Sequence, residues 1–411
     1  MLHARLKYNA AMLPNIDPVF APAAPSPRSD VEIYQMWEIF KAVNARVKAG
    51  GKVVSLLAGE PTLPPPQAAI KAAQDALNSG KPLGYTEALG IPALREGIAQ
   101  LYRRRHGLAI PAQRIAVTVG TSAGLMLAFL AAFSAGETVA VVEPSYPAYR
   151  GTLKAIDLMP YRLATDASTG YRVTPAMIEA LPPQVKGLVI ASPANPTGTM
   201  LSAAELRAIH DLCRRRGLWL IVDELYHGVT YDQPAETVLS AGDEAIVING
   251  FSKYWGMTGW RLGWLVLPER LIPRIEGLHG SLQISAPTLS QLAGIAALDA
   301  EAELVPRVAA YRRNRDALLA MLPRCGITRF APPDGAFYLY VDIGDFSDDS
   351  VAFCKRMLDE TGVVAAPGVD FDTAEGQHYI RFSFCMDAAI IDDAIARLEP
   401  WFQRLNRREA T

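Results

Sequence analysis

The sequence predicts an α/β protein in two parts: a large domain with a mainly parallel central sheet flanked by helices, and a smaller α+β domain drawn mostly from the C-terminal third. Three observations predict it. From Val53 onward, short aliphatic and β-branched runs alternate with amphipathic stretches, as strands buried on both faces alternate with the helices that cover them. Beyond residue 300 the alternation gives way to a long helical pattern, a Pro332-Pro333 break and two more strands among helices. Across 411 residues, 50% are hydrophobic and 20% charged, which supplies a large core and is unlike a disordered chain.

The elements follow in order. Residues 14–30 are rich in Pro and Ala without periodicity and read as an extended arm, either packed on a partner subunit or frayed. Strands are expected at Ile115–Val119, Thr138–Val142, Gly187–Ala191, Leu218–Val222 and Ala245–Ile248. Ser202–Arg216 sets Leu206, Ile209 and Leu212 on one helix face, and Arg214-Arg215-Arg216-Gly217 stops it, because cations suit a helix C-terminus and glycine the residue beyond. Arg103-Arg104-Arg105-His106-Gly107 repeats that signature, so both basic runs read as solvated helix ends rather than anion patches. Val305–Met321 is a long helical pattern, Ala336–Val341 and Tyr379–Phe384 read as strands, and helices are expected around Ser350–Glu360 and Asp387–Phe402. The domains are therefore expected at 53–297 (large) and 298–411 (small), with 1–52 as the arm and part of the small domain.

Composition excludes several classes. A formal charge of −2 does not fit a chain built around nonspecific nucleic-acid or anionic-membrane binding. Cys213, Cys325, Cys354 and Cys385 form no C-x-x-C pair and read as buried thiols of a reducing cytoplasm. The N-terminus shows no signal-peptide apolar core, and the most apolar helix-like stretch, Ala123–Ala135, is short of the ~20 residues that span a bilayer. A cytoplasmic protein with no membrane or nucleic-acid partner is the expectation. The six histidines show no metal-ligand spacing, so no metal is expected.

Candidate chemistry sits where strands end. Phe251-Ser252-Lys253-Tyr254-Trp255 places a lysine straight after a buried-strand pattern; it is either an amine that forms an imine with a carbonyl group or an ordinary loop residue. Leu220-Ile221-Val222-Asp223 ends a strand on a carboxylate, with the Tyr226 phenol three residues on. Ligands of open α/β sheets bind at the carboxyl ends of strands. Asp223 there can hold a proton on a pyridine nitrogen and Tyr226 can donate to a phenolate oxygen, although Asp223 reads equally as a helix N-cap. Asn195, in the turn-forming Ser192-Pro193-Ala194-Asn195-Pro196-Thr197-Gly198, can offer its amide to the same oxygen. Gly120-Thr121-Ser122 closes a strand and opens a helix, a phosphate seat in context and a common glycine turn without it. Arg381 stands in an apolar strand and needs a partner, either an internal acid or a ligand carboxylate.

Together these segments resemble the pyridoxal-phosphate aminotransferases of fold type I, the aspartate-aminotransferase-like class I/II family. The resemblance runs from about Val53 to Arg381. It rests on Gly59-Glu60-Pro61, Tyr85-Thr86, Gly120-Thr121-Ser122, Tyr146, Asn195-Pro196-Thr197-Gly198, Asp223 with Tyr226, Ser252-Lys253, Arg261 and Arg381. The intervals agree as well: 28 residues from Asn195 to Asp223, 30 from there to Lys253, and 8 from Lys253 to Arg261.

The resemblance implies pyridoxal 5′-phosphate as cofactor and Lys253, Asp223 and Tyr226 as catalytic residues. Lys253 would hold the cofactor as a Schiff base and then shuttle a proton; Asp223 would pair with the ring nitrogen. Tyr226 and Asn195 would bond the ring 3′-oxygen. Ser252, Arg261, Thr121 and Ser122 would hold the phosphate, with Gly120 letting the backbone approach. Tyr146 would stack on the ring, where it otherwise reads as a core tyrosine. Tyr85 would reach the phosphate of a neighbouring subunit, which implies a homodimer with shared active sites. Arg381 would grip the substrate α-carboxylate, with Asn195 and the backbone around Gly59 completing that site. The expected activity is ping-pong transfer of an amino group from an L-amino acid to a 2-oxo acid.

Ser122 stands where some aspartate-specific relatives carry lysine, and Thr62-Leu63 replaces the usual Asp-Phe, so a neutral donor is expected rather than a dicarboxylic one. The alternative is a lyase, decarboxylase or cyclopropane-forming (ACC-synthase-like) enzyme of the same fold, because the pocket chooses which bond breaks. A ligand-sensing regulator would carry an N-terminal DNA-binding module, and the residues before Val53 show no helix-turn-helix pattern.

Overall fold

The aliphatic runs become one seven-stranded sheet. The strands in chain order are β1 (Val54–Ser55), β2 (Ile115–Val119), β3 (Thr138–Glu143), β4 (Met159–Ala164), β5 (Val185–Ala191), β6 (Trp219–Asp223), β7 (Ile246–Gly250), β8 (Leu262–Val266), β9 (Tyr338–Asp342), β10 (Val363–Val364), β11 (Ala366–Pro367) and β12 (Tyr379–Ser383), in a computed structural model that describes residues 24–405. The large sheet runs β2-β8-β7-β6-β5-β3-β4. Strands β3 to β7 pair in parallel, and β8 lies antiparallel between β7 and β2. Val139, Val141, Val189, Ile221, Ile246 and Ile248 join one apolar cluster, and Ala140, Leu188, Ile190, Leu220, Val222 and Val247 the other. Successive side chains of a strand point to opposite faces, so a sheet covered on both sides needs unbroken apolar runs.

Two strands of the large sheet lie outside those expected. β4 is an edge strand whose Met-Pro-Tyr-Arg-Leu-Ala lacks the aliphatic signature, since one side of its ladder and much of its surface meet solvent. β8 is fully buried but follows the Lys253 loop almost directly, so no turn composition announces it. The strand expected from Ala336 starts at Tyr338, because Ala336 adopts φ +55°, outside extended geometry.

Among the helices, Ala203–Arg216 opens with a capping box between Ser202 and Glu205 and closes on Gly217 at φ +65°. Pro92–His106 closes on Gly107 at φ +69°. Its basic end is not merely solvated: the Arg105 guanidinium lies 4.5 Å from the Tyr254 ring centre. Arg216 likewise docks by donating to the Leu181 carbonyl at 2.8 Å.

The C-terminal third forms the antiparallel sheet β11-β12-β9, covered by helices Glu301–Arg324, Ser350–Thr361 and Ala388–Arg404. The first extends beyond the expected Val305–Met321 at both ends. β1 pairs in parallel with β10, and the Leu56 carbonyl accepts from the Ser383 amide at 2.8 Å, so residues 54–56, expected in the large domain, are bonded to this third. Helix Met36–Lys48 packs on Ser350–Thr361. Most of the expected arm at 14–30 lies outside the described residues; Pro27–Ser29 form one 3₁₀ turn.

One corner ties the two parts together. The buried Glu143 carboxylate at the end of β3 pairs with Arg150 at 3.0 Å and Arg162 at 3.1 Å, and accepts from the Thr373 amide and hydroxyl. Arg162 also pairs with Asp372 at 2.8 Å. Asp370 in the same loop accepts from the amides of Gln35 and Met36 at the start of helix Met36–Lys48. Among the described residues no helix is long and apolar enough to cross a membrane.

Candidate active site

β2, β3, β5, β6 and β7 end at one edge of the large sheet, and the loops beyond them, with β9 and β12, enclose an open cleft of about 1130 Å³. Gly59, Thr121, Ser122, Tyr146, Asn195, Asp223, Tyr226, Ser252, Lys253, Arg261 and Arg381 line it. Eleven positions spread from 59 to 381 thus meet in one cavity. Gly120 lies just beneath: at φ +70°, a Cβ there would fall 2.5 Å from Arg261 Nη2.

Lys253 Nζ donates to the Gly59 carbonyl at 2.7 Å. Burial pushes its ammonium down to about 8, since low polarity disfavours the charged form. Lowered that far, the amine has a sizeable neutral, nucleophilic fraction near neutral pH, which an ordinary solvated lysine lacks.

Asp223 is also buried. Its Oδ2 accepts from the Tyr149 hydroxyl at 2.6 Å and its Oδ1 from the Leu225 amide at 3.0 Å. Burial raises its carboxyl, against the lowering effects of those two bonds and of the Lys253 charge. The carboxylate is therefore held in place by neutral donors and has no ion pair among the described residues.

Arg381 presents the converse. Only 4% exposed, it donates from Nη1 to Asn195 Oδ1 at 2.9 Å and from Nη2 to the Leu57 carbonyl at 2.8 Å, and its Nε has no partner. Its guanidinium lies over the rings of Tyr338 at 4.3 Å and Phe371 at 4.6 Å. The internal acid that would make it a structural salt bridge is absent among the described residues. An unpaired buried cation facing a cleft is a receptor for an anion.

The third such place is the start of helix Gly120–Ala132, where Thr121 and Ser122 of the first turn line the cleft together with Ser252 and Arg261, whose guanidinium lies against Gly120. Free N–H groups and a guanidinium together suit a phosphate. A buried carboxylate seeking an N–H⁺, a depressed amine and a phosphate seat match pyridoxal phosphate group for group. The unpaired guanidinium matches an amino-acid carboxylate.

Tyr146 stands 5.6 Å from Tyr149, edge to face, at the cleft wall. Tyr85 is elsewhere: at 82% exposed it lies outside its own cleft. Of the further lining residues, three add contacts that no expectation covered. Tyr149 holds Asp223; its signal was its place three residues after Tyr146, at the start of helix Ala148–Ala155. Tyr338 meets the Tyr226 hydroxyl at 2.7 Å from within an apolar strand, where nothing marked it as different from a core tyrosine. Met36 brings the N-terminal helix to the cleft mouth.

Known proteins share this arrangement. A family model described as aminotransferase class I and II matches residues 51–398. A valine–pyruvate aminotransferase of Mycobacterium tuberculosis is 42% identical, over 91% of this chain and 97% of the relative. An arginine–pyruvate transaminase of Pseudomonas aeruginosa is 32% identical, over 88% and 93%. Among solved structures, an aminotransferase from Mycobacterium tuberculosis superposes with a TM-score of 0.90 at 41% identity, over 92% of this chain and 99% of that one. Aspartate aminotransferase from Thermus thermophilus with maleate reaches 0.86 at 29% identity, over 92% and 99%. With this extent of likeness on top of the cleft's own chemistry, the chain belongs to the class I and II aminotransferases, fold type I enzymes that use pyridoxal phosphate to move an amino group from an amino acid to a 2-oxo acid.

Proposed function

We propose that the protein is a homodimeric transaminase for neutral L-amino acids. The observation that carries the substrate reading is how the cleft's cations are used. Lys253, Arg261 and Arg381 are the cationic side chains of its lining, and attachment, phosphate and α-carboxylate occupy all three. Among the described residues of one chain none remains for a side-chain carboxylate. Ala58, Met36 and Tyr338 offer apolar surface instead. The valine–pyruvate specificity in the name of one relative supports the same reading.

When bound, pyridoxal phosphate supplies a carbonyl that takes up the amino group and a ring that accepts the electron pair left at Cα. Lys253 Nζ would serve as the attachment amine and as the base for the Cα proton. Asp223, braced by Tyr149, would hold the proton on the ring nitrogen. Asn195 Oδ1 is engaged by Arg381, so its NH₂ is left to donate into the cleft beside the Tyr226 hydroxyl. Arg381 forks onto the substrate carboxylate and turns the Cα–H toward Lys253. The amino group stays with the enzyme until a second oxo acid collects it, which makes the kinetics ping-pong.

The dimer reading is supported by Tyr85, which is exposed close to exposed Leu83, while the adjacent Thr86 amide donates to Ser285 Oγ, next to exposed Ile284. A second copy covering this patch would receive Tyr85 at its own phosphate seat, and no group within one chain needs it there. The test is titration of the cofactor-loaded protein with an amino-acid panel, assaying 2-oxo acid and ammonia together. Loss of the visible band with stoichiometric oxo acid from valine-like donors is expected. Preference for aspartate by tenfold or more would refute the neutral reading, and ammonia release would favour a lyase.

A further inference from the structure

We infer that Tyr338 is a positioning residue for transamination: its hydroxyl donates to Tyr226 Oη and so commits the single Tyr226 proton to the cofactor oxygen. The inference rests on the roles proposed above for Lys253 and Tyr226. Tyr338 opens β9, is 1% exposed and meets Tyr226 at 2.7 Å. Without a ligand either hydroxyl can donate. A phenol has one proton, so once Tyr226 gives its own to a charged oxygen, Tyr338 must supply the bond between them. Among the described residues its hydroxyl has no other hydrogen-bond partner, and a Cβ on Gly59 would fall 1.9 Å from Tyr338 Oη, so glycine backbone closes that side. A donor that itself accepts a hydrogen bond is a stronger donor.

The same ring carries the Arg381 guanidinium on its face at 4.3 Å. Tyr338 therefore touches the residue that serves the cofactor oxygen and the one that grips the substrate. It belongs to the C-terminal third, whereas Tyr226 lies in the turn that follows β6 of the large sheet, so the bond joins the two parts beside Lys253's cleft.

The test is the pH titration of the visible absorption of the holoenzyme. A bond to the ring oxygen stabilises its negative charge, which is greatest once the neighbouring proton has left. Weakening that bond raises the pH of departure. Tyr338→Phe keeps the ring and is expected to move the midpoint up by about 0.5–1 pH unit, with kcat falling more than KM rises. In a Tyr226→Phe background the same change is expected to add nothing. Site-specific 3-fluorotyrosine at position 338, a more acidic donor, is expected to move the midpoint down, and it preserves packing should Tyr338→Phe not fold. An unmoved midpoint, or a full shift that persists without the Tyr226 hydroxyl, overturns the inference. Loaded wild-type protein with no visible band would instead refute the Lys253 role, and this inference with it.

Discussion

Replacing Arg381 separates a substrate receptor from a structural arginine. The side chain is buried, has two neutral acceptors, Asn195 Oδ1 and the Leu57 carbonyl, and no carboxylate. If its counter-charge is the substrate α-carboxylate, each charge-assisted bond of the fork contributes about 1.5–3 kcal/mol. Arg381→Lys keeps the charge and loses one arm, so kcat/KM for amino acids should fall roughly 10- to 100-fold. Arg381→Ala loses both, about 3–6 kcal/mol, or roughly 10²- to 10⁴-fold. The control is the decarboxylated analogue of the preferred donor, which offers no anion. Its slow single-turnover amination of the cofactor, followed by absorbance, should be nearly unchanged by either substitution. Equal losses for amino acid and amine would refute the reasoning and make Arg381 a strut of β12.

Further outcomes follow from the same geometry. Lys253→Ala should abolish turnover and the visible band of the bound cofactor while circular dichroism stays that of the wild type. Because burial lowers the Lys253 ammonium to about 8, reconstitution of cofactor-free protein with pyridoxal phosphate should accelerate as pH rises through that value and level above it; acceleration continuing toward the ordinary lysine range near 10.5 would contradict it. Gly120→Ala places a Cβ 2.5 Å from Arg261 Nη2 at φ +70°, a strain of about 1–2 kcal/mol before Arg261 moves, so cofactor dissociation measured by dialysis should rise about tenfold or more. Mixing inactive Lys253→Ala and Tyr85→Ala subunits should restore about a quarter of wild-type activity, since half of the random dimers are hybrids and each holds one intact site; no restoration would mean that Tyr85 does not serve the partner.

What was legible in the sequence depended on whether a position differed from its local background. Lys253, Asp223 and Arg381 are charges set against apolar strands, and Gly120 and Asn195 are turn-formers where strands stop, so each stood out. Tyr149 and Tyr338 are aromatic residues among apolar ones, and their roles reside in hydroxyl partners 74 and 112 residues away, which no periodicity encodes. Strand direction was equally hidden: β8 has the same aliphatic run as its parallel neighbours, and only pairing with β2 and β7 reveals it as antiparallel. Arg105 misled because its run has the composition of a helix terminus while one of its members reaches the Tyr254 ring.

The Glu143 corner sets how the two parts can move. A carboxylate clasped by Arg150 and Arg162, with Thr373 and the loop around Asp372 on the same anchor, resists translation because any slide would strand a buried charge. The loop that is anchored also holds, through Asp370, the first turn of helix Met36–Lys48, whose Met36 lines the cleft. One buried carboxylate at the end of β3 therefore fixes, through a single loop, both the N-terminal helix and the approach to β12, so that Met36 and Arg381 reach the same cleft from a shared support.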